Sequence, residues 1–101
     1  MQTKITREEA GERWNEGARQ AWIAMRAKGW RQADLNRALG EVLGTGPRVG
    51  YANRFLFGIR RPGYALARAL EQILGVPRHL WGEPALAPFD LEMTRTVREA
   101  A

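Results

Sequence analysis

Five arginines, Arg48, Arg54, Arg60, Arg61 and Arg68, fall between Pro47 and Leu70 with no acid among them. A guanidinium is a planar fork of N–H donors that can grip a phosphate, or bond O6 and N7 of a guanine together. Asn53 lies in the same stretch, and an Asn side chain can bond adenine in the same paired way. Other chemistries find little support. The chain has no cysteine, which excludes disulfides, thiolate metal sites and cysteine nucleophiles. His79 is the single histidine; with no His or Cys cluster around it, it reads as a turn residue and not as a metal ligand. Glu8, Glu9, Glu12 and Glu16 fall in one expected helix and read as a solvated face. No catalytic constellation emerges, so the sequence points to a protein that is not an enzyme and needs no cofactor or metal.

The net charge of +5 and the sequence pI of about 10.7 are the electrostatic footprint of a nucleic-acid binder. The charge is unevenly spread. Residues 1–82 hold 14 Lys and Arg against 7 Asp and Glu, while residues 83–101 hold 2 Arg against 4 acids. A length of 101 residues fits one domain. A domain of this size buries only about 60% of the surface its unfolded chain exposes, which favours further stabilisation by dimerisation. The N-terminus lacks the apolar core of a signal peptide, and no apolar run approaches the ~20 residues of a membrane span. The expectation is a soluble cytoplasmic protein with no membrane partner.

The elements that must position these arginines read as helices. Thr6 with Glu9 forms a capping box. Trp14, Ala18, Ala21, Trp22 and Met25 follow at helical spacing, and Gly29 closes this first helix. A second helix begins near Arg31, with Leu35, Ala38, Leu39, Val42 and Leu43 on one face. It ends at Gly40 or, in the preferred reading, near Gly44. Thr45-Gly46-Pro47 marks the next start, because proline suits the first helical position. The third helix covers about Pro47 to Phe57 and stops at Gly58. A Pro-Gly loop leads to a fourth helix over Tyr64–Leu74, with Leu66, Leu70, Ile73 and Leu74 apolar and Gly75 at its end. Val76 to Trp81 reads as a short helical turn that packs Val76, Leu80 and Trp81 onto the core.

The tail differs. Glu83-Pro84 and Pro88 mark a linker, after which Phe89, Leu91, Met93, Arg95 and Val97 alternate with Asp90, Glu92, Thr94 and Thr96, Arg95 being the one polar residue in the apolar register. Period two favours a strand, with a short helix capped by Asp90 as the alternative. A lone strand needs a partner, which a second copy of the chain would supply. Met1, Thr3 and Ile5 also alternate and could add a strand.

Residues from about Ala18 to Gly82 resemble the Cro/phage-repressor type of helix-turn-helix domain, the lambda repressor-like (Xre) family. Gly29-Trp30-Arg31-Gln32-Ala33-Asp34-Leu35 is similar to the opening of its second helix. Tyr51-Ala52-Asn53-Arg54-Phe55-Leu56-Phe57-Gly58 resembles its recognition helix and closing glycine. Arg60-Arg61-Pro62 resembles the basic loop that follows, and Leu74-Gly75-Val76-Pro77 with Leu80-Trp81 the closing lock. The chain departs from the family's pattern in three places. The interval from Gly40 to Tyr51 is about five residues longer. Arg31 stands where Ser, Thr or Asn is usual. Met25 and Leu56 are apolar where the family often pairs Arg with Glu, a change that costs little when both partners change together.

The resemblance implies an all-α domain of four to five helices over residues 1–82. Beyond it lies a C-terminal extension over 83–101, whose own alternation favours a β-strand used in dimerisation. The resemblance implies that Arg48, Val49, Gly50, Tyr51, Asn53 and Arg54 face the major groove. Base reading would fall to Arg54 first and Arg48 second, with Val49, Tyr51 and Asn53 beside them. Ala52 and Phe55 would face the core. Gln32 would bond a phosphate at the N-terminus of the second helix, with Arg31 adding charge, and Arg60 and Arg61 would hold the backbone. The expected function is sequence-specific binding of double-stranded DNA by a homodimeric transcriptional regulator, most simply a repressor on a near-palindromic operator. The alternative is a protein-interaction module on the same fold, such as an antitoxin binding a partner protein through residues 84–101.

Overall fold

The computed structural model describes residues 14–44, 53–58 and 60–88. These residues are all-α. In chain order they form α1 (Glu16–Lys28), α2 (Gln32–Leu43), α3 (Asn53–Leu56) and α4 (Tyr64–Leu74), followed by a 3₁₀ turn over Arg78–Gly82. Among the described residues the only β-type pairing is an isolated antiparallel bridge between Asn15 and Pro84. The expected tail strand, and the short one at Met1 to Ile5, lie outside the described residues. No helix of the described residues is long and apolar enough to cross a membrane.

The start of α1 corrects the sequence reading of one helix running from Thr6. Asn15 is extended, with φ −129° and ψ 167°, and its side chain accepts from the Ala18 N–H at 2.8 Å. It is thus an N-cap that satisfies one of the free donors of a new helix, and no helix runs through it. The expected cap at Thr6 and Glu9 lies outside the described residues. The apolar spacing itself holds: Trp14, Ala18, Ala21, Trp22 and Met25 are all buried. At the other end Gly29 closes α1 with φ 70°, its N–H reaching the Arg26 carbonyl.

α2 continues through the buried Gly40 and ends at Gly44, which takes the left-handed conformation and donates to the Gly40 carbonyl. Leu35 and Leu39 are buried, with Ala38 and Leu43 half-buried. Val42 corrects the expected stripe, being 47% exposed, while Asn36 and Gly40 lie inside. The buried arc is therefore rotated towards Asn36 and Leu43, which leaves Val42 at its edge. Arg31 occupies the N-cap position. Its guanidinium has no acceptor for a helix N–H, and only the return half of a capping box remains: Asp34 Oδ2 accepts from the Arg31 N–H at 2.8 Å.

α4 spans the expected residues, and Leu70 and Leu74 are buried with Ala67 and Ala69. It packs against α2, α1 and the 3₁₀ turn, while α1 also packs on the turn and on α3. One core results, joining Trp14, Trp22 and Met25 of the first segment to Leu35, Leu39, Phe55, Leu56, Leu70, Val76 and Trp81. Phe55 meets Trp81 edge-on at 5.9 Å between ring centres. Gly17 lies against the same indole so closely that an added Cβ would stand only 2.7 Å from its Cγ and Cε3.

Residues 83–87 are tied to the body. The Glu16 N–H donates to the Glu83 carbonyl at 3.0 Å, the Leu86 N–H to Glu16 Oε1 at 2.8 Å, and Trp14 Nε1 to the Ala87 carbonyl at 3.1 Å. The segment read as a linker therefore covers the N-terminal end of α1, and its backbone polar groups are what hold it there.

Candidate nucleic-acid interface

α3 carries the candidate interface. Its described part is one turn, Asn53–Leu56, whose core side is Phe55 and Leu56, both buried, and whose outward residue is Arg54, exposed. Burial of Phe55 is what the resemblance implies. The turn ends in a loop closed by Gly58, with φ 75°, whose N–H reaches the Phe55 carbonyl at 3.1 Å. Arg48, Val49, Gly50, Tyr51 and Ala52 lie outside the described residues, and Asn53 is placed only as the first residue of the turn.

Arg60 and Arg61 follow immediately and are exposed. The Arg60 N–H bonds the Arg54 carbonyl at 3.3 Å, so backbone geometry brings Arg54 and Arg60 together at the end of α3. The Arg61 guanidinium leans the other way, with Nη1 3.8 Å from where a Cβ on Gly82 would stand, beside the 3₁₀ turn. Arg31 and Gln32 stand on a different element, the N-terminal end of α2, Arg31 exposed and Gln32 half-buried at the first helical position. Free N–H groups at such an end favour an anion. Next to them Lys28 Nζ lies 5.2 Å from the centre of the Trp30 ring, which adds a cation held over an aromatic face.

Among the described residues, the one strongly perturbed acid is not at this surface. Glu16 is 3% exposed, which corrects its reading as part of a solvated face. Its carboxylate accepts from Arg19 Nε and Nη2, each at 2.8 Å, and from Gln20 Nε2 at 2.7 Å. Chiefly the Arg19 hydrogen bonds, helped by the Leu86 N–H and Gln20 and opposed by burial, bring its pKa down to about 2. The Arg19 guanidinium is in turn held above its usual range by Glu16. The i, i+3 and i, i+4 spacing of Glu16, Arg19 and Gln20 is visible in sequence; that the tail segment would bury the cluster is not.

Sequence reasoning also missed the link between α1 and α3. Trp22 Nε1 donates to the Leu56 carbonyl at 2.7 Å, and its ring meets Phe57 edge-on at 5.6 Å. Met25 and Leu56 are both buried, as expected of the apolar pair. No protein family, no curated protein and no solved structure matches this chain.

Proposed function

We propose that the chain is a lambda repressor-like helix-turn-helix protein that binds double-stranded DNA by sequence and acts in the cytoplasm as a homodimeric transcriptional regulator, a repressor in its simplest form. The observation that carries this reading is the presentation of Arg54: it stands exposed on a short helix whose other face, Phe55 and Leu56, is locked in the core, with Arg60 bonded to its backbone. The absence of any acid from Pro47 to Leu70 supports it, since an acid there would repel phosphate. In this reading Arg54, Arg48, Val49, Tyr51 and Asn53 face the bases. Arg31, Gln32, Arg60 and Arg61 hold the phosphates. A two-fold dimer would space its recognition helices about 34 Å apart and select a near-palindromic site.

The test is selection of bound sequences from a random duplex pool at about 150 mM salt, which suppresses purely electrostatic binding. The expected result is an enriched motif with two inverted halves. No enrichment from folded protein would refute the reading and turn attention to a protein partner of residues 84–101.

A further inference from the structure

A helix end leaves its last carbonyls without partners inside the helix. At the end of α3 three successive carbonyls are accounted for. The Arg54 carbonyl accepts from the Arg60 N–H at 3.3 Å and the Phe55 carbonyl from the Gly58 N–H at 3.1 Å, both within the local turn. The third, that of Leu56, accepts from the indole of Trp22, 34 residues earlier in the chain, at 2.7 Å. Leu56 is fully buried and Trp22 is 3% exposed, so water does not compete for this carbonyl.

The bond differs in kind from the packing around it. Burial of Phe55 and Leu56 is non-directional and leaves a one-turn helix free to roll or slide slightly at small cost. A hydrogen bond weakens steeply with distance and misalignment. The indole therefore fixes the roll of α3 about its own axis, while the Trp22–Phe57 edge contact limits its slide. The side chains of Met25 and Leu56 are apolar, and the Trp22 bond to the Leu56 carbonyl ties α1 directly to α3.

From this geometry, and resting on the DNA-binding reading above, we infer that Trp22 is a positioning residue for sequence discrimination. It touches no DNA. Its N–H holds α3 so that Arg54 meets a base edge in register, which requires placement within about 0.5 Å and 10–20°. Contacts to phosphates tolerate more movement and carry no sequence information.

The test uses the full chain with Trp22→Phe, and with Trp22 replaced by 3-benzothienylalanine, which keeps the bicyclic shape and lacks only the donor. Should Trp22→Phe fail to fold, the isosteric replacement carries the experiment. Affinities are measured for the selected operator and for random duplex, each across a salt series. The expected result is a roughly tenfold loss on operator, with random-duplex affinity and salt slope unchanged. Amide exchange at Phe57 and Gly58 should quicken while that of α2 and α4 does not. Equal losses on both DNAs, or undiminished discrimination by both variants, would overturn the inference alone. An unaltered protein with no operator preference would refute the DNA-binding reading and this inference with it.

Discussion

Replacing Glu16 by Gln keeps the side-chain shape and removes one buried charge. The carboxylate receives two bonds from Arg19, one from Gln20 and one from the Leu86 backbone, all between 2.7 and 2.8 Å. Each oxygen accepts two of these bonds, so the NH₂ group of the amide that replaces it would face two donors, and both of those bonds are lost as they stand. The folded-state pKa of about 2, against an ordinary 4.5, sets a scale of about 3 kcal/mol for what the charge contributes. The Arg19 side chain is 17% exposed, and solvent screening there reduces the expected loss to about 2 kcal/mol. Urea unfolding at pH 7 would read this as a midpoint lowered by about 2 M, for a slope of about 1 kcal/mol per M. The pH dependence follows from the direction of the shift. The unfolded chain takes up the proton more readily, so the stabilisation is complete above about pH 5, declines as pH falls through 4.5, and is gone near pH 2. The gap between unaltered and Glu16→Gln protein should close over that window. A gap below ~0.5 kcal/mol at pH 7, or one that stays constant between pH 5 and 2.5, would refute the reasoning.

Gly17→Ala should destabilise the fold by about 1–3 kcal/mol, because the new methyl would overlap the buried Trp81 ring; thermal melting checks it, and no change would mean that the indole shifts freely. A chain cut after residue 88 should melt like the full protein but self-associate more weakly in sedimentation. One cut after residue 82 should melt lower, because it loses the Glu83, Leu86 and Ala87 backbone partners of Glu16 and Trp14. Arg54→Ala should cost about 1–3 kcal/mol of operator affinity and relax the preference at one base position; equal loss on all sequences in a binding titration would make Arg54 a phosphate contact.

The helix ends were readable because each depends on local chemistry. Gly29, Gly44, Gly58 and Gly75 all have φ between 70° and 75°, a conformation that disfavours other residues, and Tyr64–Leu74 emerges with the bounds the sequence indicates. The start of α1 was not readable. Trp14 is buried whether or not a helix runs through it, so apolar spacing carries on across the break. Only the Asn15 side chain, turned back onto the Ala18 N–H, marks where the helix begins.

The features that position the candidate site share a different reason for being hidden. Spacing predicts which side chains meet along one helix, whereas the outward Arg54 and inward Phe55 of α3 came from the family resemblance. Spacing says nothing about a side chain that bonds a backbone atom far along the chain, because every residue offers the same carbonyl and N–H. Glu16 is buried by the N–H of Leu86, and Trp22 ends on the carbonyl of Leu56; in neither case does the identity of the distant residue encode the contact. What the sequence does show is half of the second pair: a Trp on the core face of α1 carries an N–H that usually finds an acceptor when buried. The Trp22 bond to α3 uses a backbone acceptor, so changing the Leu56 side chain cannot abolish it and changing Trp22 can.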